Sequence, residues 1–220
     1  MDAITIQILR NKISSLVEEM HYHFYRSGYS TIIRESRDFS CVILDREGRL
    51  IVAPPMFFHA PVYRHLVGRI LKVYDGNDAI RDGDVFVSNH PYEGGLPHVS
   101  DMAFVAPVFA AGGIVAFAGS IAHKADVGGA VPGSTSANAT EMYHEGLLLP
   151  PVKIWEAGKP APDIERIILT NSRQPELVRG DMHRPSAEGI PGQDIADRVS
   201  AKRIGVPCAL TRHGPLVHRR

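Results

Sequence analysis

Residues 98–126 read HVSDMAFVAPVFAAGGIVAFAGSIAHKAD, and the parsing of that stretch decides the fold. Two apolar runs, MAFVAPVF over 102–109 and IVAFAGSIA over 114–122, flank Ala110, Ala111, Gly112 and Gly113. Short runs rich in Val, Phe and Ile, separated by glycines, predict two antiparallel strands joined by a tight turn. Pro107 has no N–H for a ladder, which assigns the first run to an edge or a bulge. The same pattern, His-x-x-Asp, bounds both runs on the outside, as 98–101 and 123–126. With a four-residue turn Phe109 faces Ile114, which sets Asp101 opposite Ala122 and Ser100 opposite His123. Opposed residues have Cβ atoms about 4.5–5.5 Å apart, so both motifs meet at the hairpin's open end.

Two imidazoles and two carboxylates converging there would suffice for a divalent ion such as Mn²⁺, Fe²⁺ or Zn²⁺. Nitrogen and oxygen donors without thiolate point away from structural zinc and toward a catalytic metal with open positions. Gly94 and Gly95 before the first motif, and Gly128 and Gly129 after the second, would let backbone approach a ligand closely. The alternative is that the four residues cap strands and form ordinary His–Asp hydrogen bonds.

Residues 5–25 place apolar side chains three and four apart (Ile6, Leu9, Ile13, Leu16, Val17, Met20, Phe24). That spacing predicts an amphipathic helix, with Thr5 as N-cap and Gly28 as stop. Residues 40–45 and 49–53 read as a hairpin about Arg46, Glu47 and Gly48, 62–74 as a helix, and 84–88 as a strand. A strand is expected over 147–154 and a short helix over 164–170, after a long Gly/Ser/Ala-rich loop at 128–140. The fold class is therefore α+β: an N-terminal amphipathic helix, then mostly antiparallel β-hairpins with further helices. From about Pro185 the apolar periodicity stops, so 185–220 is expected to be a poorly ordered tail to a domain spanning 1–184.

The chain has 220 residues, enough for a substantial core. Its 24 basic and 24 acidic side chains cancel, which gives no electrostatic reason to expect nucleic acid or an anionic membrane as partner. Eleven histidines are the compositional hint of site chemistry. Cys41 and Cys208 lie far apart in dissimilar segments and predict no disulfide. The first twelve residues, MDAITIQILRNK, read as neither signal nor transit peptide, and no apolar run reaches spanning length. A soluble, cytoplasmic protein is the expectation. Of the other acidic groups, Asp38 could position substrate or metal, or be an ordinary strand-edge carboxylate. Glu141 and Glu145, four apart, could supply a general base or simply a solvated face.

Several ordered blocks resemble one family. They are RESRDFSC (34–41), SNHPYEGG (88–95), PHVSD (97–101), AHKADVGG (122–129), PGS (132–134), ATEMYHEGL (139–147), LPPVKI (149–154) and NSRQPELVRGDM (171–182). Together they are similar to the hydantoinase B / 5-oxoprolinase / acetone carboxylase α-subunit family over roughly residues 1–184. The resemblance implies a divalent metal site with His98, Asp101 and His123 as ligands. Asp126 would be a fourth ligand or a carboxylate orienting an imidazole, and Glu141 and Asp38 would be the remaining catalytic candidates. It also implies a hetero-oligomer that opens a cyclic amide such as a hydantoin or 5-oxoproline, using ATP held by a hydantoinase A-like partner. No phosphate-cradling glycine motif occurs in this chain. Carboxylation of a ketone such as acetone is the second enzymatic expectation, and a truncated, non-catalytic remnant the third. His90 stands where the family often has Asp, and Lys124 where it often has a second His. Family members are much longer, so a frameshift near codon 184 is a further expectation.

Overall fold

The computed structural model describes residues 2–52, 59–76, 79–110 and 112–182. The tail at 185–220 and Cys208 lie outside the described residues, as does Ala111 of the expected turn. Helix α1 (Ala3–Ser27) starts earlier than its apolar spacing implies. Asp2, not Thr5, is the N-cap: its carboxylate accepts from the Thr5 backbone N–H at 2.9 Å and from the Thr5 hydroxyl at 2.8 Å. A carboxylate one residue outside the first turn reaches the orphan N–H groups that a residue already inside the turn cannot. Gly28 does stop the helix.

Strands β1 (Phe39–Asp45) and β2 (Leu50–Val52) form the expected hairpin, turned by Gly48 at φ +77°. Helix α2 (Ala60–Val73) and strand β3 (Val85–Ser88) follow, then a single helical turn α3 (Pro91–Gly94). The long hairpin is β4 (Asp101–Ala110) with β5 (Gly113–His123). Then come β6 (Val152–Glu156), β7 (Lys159–Pro160), α4 (Pro162–Thr170) and α5 (Pro175–Met182). The strand expected from 147 begins at 152, because Pro150 and Pro151 bring no N–H to a ladder. Helix α5 lies inside the NSRQPELVRGDM block, where Pro175, at the first helical position, is the local signal for it.

Among the described residues seven strands form one antiparallel sheet in the order β2-β1-β5-β4-β3-β6-β7. Strands β4 and β5 lie inside the sheet and are buried over most of their length, as expected of strands covered on both faces. One face carries Val42, Leu44, Ala103, Val105, Phe117 and Ile121 against α2. The other carries Cys41, Ile43, Val108, Ala116 and Ala118 against α1, and Met102, Phe104 and Ala106 against α4 and α5. The protein is thus α+β, with helices on both sides of an antiparallel sheet. Cys41 is buried and free.

Pro107 does not push β4 to the sheet edge. It lies past the last residue registered with β3, Val105, so its missing N–H breaks no pair there. A bulge follows immediately, between Val108 and Phe109. Phe109 pairs with Ile114 and Val108 with Ala116, so Val115 is the extra residue. From there Asp101 lies opposite His123 rather than Ala122. That one-residue shift builds the site.

Candidate metal centre

Because paired residues share a face, Asp101, Ala103 and Val105 on β4 look the same way as His123, Ile121 and Gly119 on β5, toward α2. Lys124, the next residue along, is wholly buried on the opposite side. Its Nζ lies 3.5 Å from the Asp181 carbonyl of α5 and 5.6 Å from the centre of the Phe104 ring. The lysine in place of a second histidine therefore serves the packing beneath α5. His98 precedes β4 in a tight turn, with the Asp101 N–H donating to its carbonyl at 3.3 Å.

Asp101 is the centre of the cluster. It is 1 % exposed, and His98 Nε2 lies 3.3 Å from its Oδ2 and His123 Nδ1 3.8 Å from its Oδ1. The two imidazole rings are 5.0 Å apart, centre to centre. One ligand atom from each of His98, Asp101 and His123 can be chosen so that all lie within 4.8 Å of one another. Bonds of about 2.1 Å place neighbouring ligand atoms roughly 3–4 Å apart, so small side-chain rotations would close the set on one ion. The decisive atom is Asp101 Oδ1, which is buried and accepts no hydrogen bond among the described residues. A buried, unsatisfied carboxylate oxygen costs a few kcal/mol unless a cation meets it. The residues present therefore fit a divalent metal. Burial lowers the His123 imidazole below its ordinary value; Asp101 opposes this, and His98 reinforces it. A neutral imidazole offers the lone pair a metal requires.

Asp38 also reaches this centre. Strand β1 pairs with β5, and the His123 N–H donates to the Asp38 carbonyl at 3.2 Å. Asp38 Oδ2 lies 3.8 Å from His123 Nδ1, with the carboxylate side chain 36 % exposed. A π-helical turn (Ile32–Ser36) ends at Arg37, which adopts φ +54° and lays its guanidinium over the Tyr25 ring at 4.7 Å. Left-handed backbone at a non-glycine residue costs about 1 kcal/mol or more, and here it turns the chain into β1 just ahead of Asp38.

The structure keeps the other sequence candidates apart from the cluster. All four lone-pair directions of Asp126 are occupied. Oδ1 accepts from the N–H groups of Gly128 and Arg173, both at 2.9 Å, and Oδ2 from Gly133 N–H at 2.9 Å and Arg173 Nη1 at 3.1 Å. Burial alone would raise this carboxyl, but those hydrogen bonds hold it below its ordinary value. Glu141 is exposed and pairs with His144 at 3.2 Å. Glu141 and Glu145 flank a single 3₁₀ turn, so they share no helix face; Glu145 instead accepts from Val99 N–H at 3.2 Å, bracing the His98 turn. Gly128 and Gly129, at φ +92° and +83°, make their close approach to protein: an added Cβ would sit 2.7 Å from the Asn171 carbonyl and 2.5 Å from that of His144. His90 caps α3, accepting on Nδ1 from Tyr92 and Glu93 N–H groups at 3.2 Å, which an aspartate would also do.

Sequence reading missed His59. This residue, 2 % exposed at the start of α2, has Nε2 3.5 Å from Asp101 Oδ2. No local pattern marks it, because it joins the site only through the packing of α2 on the sheet.

An antiparallel α+β domain with a His/Asp cluster at the open end of its central hairpin is the class defined by these observations. The family model for hydantoinase B/oxoprolinase matches residues 2–187, and the chain belongs to that family. The putative B component of a D-/L-hydantoinase from Pseudomonas sp. (strain NS671) is 32% identical over 209 residues, covering 92% of this chain and 33% of that one. The crystal structure of the ATP-dependent caprolactamase from Pseudomonas jessenii superposes with a TM-score of 0.78 at 26% identity, over 96% of this chain and 36% of that one. A nucleotide-free acetone carboxylase shares the fold, at TM-score 0.65 and 16% identity, over 89% of this chain and 26% of that one. The chain spans about a third of the length of some curated relatives it matches and between 11% and 15% of others. Among the described residues no helix is long and apolar enough to cross a membrane.

Proposed function

We propose that this chain supplies the metal centre of an ATP-dependent amidohydrolase that opens cyclic amides such as hydantoins or 5-oxoproline. The observation that carries the metal part is Asp101 Oδ1, buried, without a hydrogen bond among the described residues and 3.8 Å from His123 Nδ1, in a carboxylate that His98 meets at its other oxygen. Support for the amide chemistry comes from relatives that bear hydantoinase and caprolactamase names. Ketone carboxylation has only a shared fold behind it.

His98, Asp101 and His123 would hold the ion, which when bound polarises a carbonyl or lowers the pKa of water. Asp38 Oδ2 is the proton acceptor on the open side of the cluster. It takes a proton from the attacking water and returns one to the departing amide nitrogen. Asp126 is assigned to holding the glycine loop that follows His123. Glu141 stands outside the reacting centre. ATP is assigned to a hydantoinase A-like partner in a hetero-oligomer.

Elemental analysis of the purified chain, beside a His98→Ala/His123→Ala double variant, is the test. Stoichiometric Mn, Fe or Zn that disappears in the variant is expected; equal content in both refutes the site. Supplied with ATP and the hydantoinase A-like partner, the chain should open a hydantoin or 5-oxoproline and leave acetone with bicarbonate untouched. A sharp thermal unfolding transition of the 220-residue chain would count against an inert remnant.

A further inference from the structure

A continuous polar chain runs through the otherwise apolar interface between α2 and the sheet. Asp101 Oδ2 faces His59 Nε2 at 3.5 Å, and His59 Nδ1 faces the Ser40 hydroxyl at 3.2 Å. That hydroxyl lies 2.8 Å from the Tyr63 hydroxyl, which donates to the Ser40 carbonyl at 3.1 Å. All four residues are buried, with exposures of 0–2 %. Satisfying every group sets the directions. With the Tyr63 proton committed to the Ser40 oxygens, the Ser40 O–H is free to donate to His59 Nδ1. His59 then carries its proton on Nε2, aimed at Asp101.

We propose that His59 is a positioning residue for Asp101: its Nε2–H holds Oδ2 on the side away from His98 and leaves Oδ1 turned toward His123. Ser40 and Tyr63 act one step further back by selecting the His59 tautomer. Three observations carry this. Asp101 has one carboxylate oxygen facing an imidazole from each side, and its other oxygen carries no hydrogen bond. The relay residues come from β1 and α2, elements that supply none of the three clustered ligand residues. Finally, a polar chain inside an apolar interface costs stability unless every member is satisfied, and this one ends on a group that a metal would use.

The inference rests on the metal reading above, and the experiment separates the two. Mn²⁺ binding to the full chain is followed by electron paramagnetic resonance, with apo and Mn²⁺-loaded melting temperatures measured in parallel. Wild type should bind one Mn²⁺. His59→Leu should weaken binding about 10–100-fold and change the bound-Mn²⁺ spectrum, and His59→Gln, which keeps an N–H donor, should recover most of the affinity. Ser40→Ala should show a smaller loss in the same direction. Apo melting temperatures separate a packing defect from a loss of affinity. Wild-type affinity and spectrum in His59→Leu, while wild type itself binds, would overturn the positioning role alone. Failure of wild type to bind any Mn²⁺ would overturn both readings. Should His59→Leu not fold, Ser40→Ala decides, and wild-type affinity there overturns the relay.

Discussion

Replacing Asp126 with asparagine separates a loop anchor from a ligand, and the structure sets the size of the effect. The aspartate accepts four hydrogen bonds on two oxygens. With its carbonyl in the Oδ1 position, asparagine keeps those from Gly128 and Arg173 N–H groups but loses their charge assistance. Its amide nitrogen then confronts the Gly133 N–H and the Arg173 guanidinium, donor against donor. Hydrogen bonds to a charged acceptor contribute about 1.5–3 kcal/mol each, and an unmade buried one costs about 1–3 kcal/mol. The guanidinium side chain is 41 % exposed and can rehydrate, so its share is small. The sum is a loss of about 2–4 kcal/mol. For a chain of this length that corresponds to a fall of roughly 5–15 °C in Tm. Thermal melts by circular dichroism at pH 7, with and without Mn²⁺, read the effect, and Mn²⁺ affinity should stay near wild type. The sign with pH also follows. A carboxyl held below its ordinary 3.8 stabilises the fold above that pH, and the contribution is lost as pH falls through the folded value. The gap between wild type and variant should therefore be flat above about pH 5 and shrink in acid. An unchanged Tm with weakened Mn²⁺ binding would refute this reasoning and return Asp126 to the ligand set.

Gly119→Ala should destabilise by about 1–3 kcal/mol by denaturant titration, because overpacking a tight core has that cost. The new Cβ would lie 2.8 Å from Tyr63 Cε1 and 3.2 Å from Val42 Cγ2. Displacing the Tyr63 ring should weaken Mn²⁺ binding as well. His90→Asp should be neutral or stabilising by up to about 1 kcal/mol in the same titration, since aspartate is a strong N-cap. A clear loss would show that His90 does more than cap α3. His21 Nε2 accepts from the Cys41 N–H at 3.2 Å, and burial lowers its imidazole below the ordinary 6.5. Its contribution is complete above pH 6.5 and declines as pH falls toward the folded value, where the unfolded chain takes up the proton first. His21→Gln keeps an acceptor without that titration, so its stability should fall less steeply below pH 6.5 in pH-dependent melts.

What could be read from the chain alone was whatever is local. The helical spacing of 5–25 and the two apolar runs of the long hairpin carry their own periodicity, and α1, β4 and β5 follow it. His98, Asp101 and His123 lie at the open end of one hairpin, so their nearness was legible; that Asp101 and His123 share a face was not, because the sequence register lacked the extra residue Val115. Asp38 was flagged as a residue type but could not be placed, because its contact with His123 depends on β1 pairing with β5 across some eighty residues. His59 left no trace, since only the docking of α2 brings it to Asp101. The surroundings of Asp126 were not legible for a related reason. Its carboxylate has the same spacing from a histidine as Asp101, yet it lies beyond the end of β5, where the chain turns and its oxygens meet loop N–H groups.

The hairpin register shows how little separates a site from its absence. In the uninterrupted register Asp101 pairs with Ala122 and Ser100 with His123. Paired residues share a face and successive residues alternate, so the ligands would then fall on opposite sides of the sheet. One extra residue on β5, Val115, moves His123 opposite Asp101 and puts both on the α2 face. The same step turns Lys124 away to Phe104 and Asp181. The bulge sits some seven residues from the candidate ligands, at the far end of the hairpin, beyond Val105, the last residue of β4 registered with β3. The placing of Asp101 against His123 at the open end is therefore set by the backbone near the turn, and substitutions near Val115 bear on the candidate site as much as those beside His123.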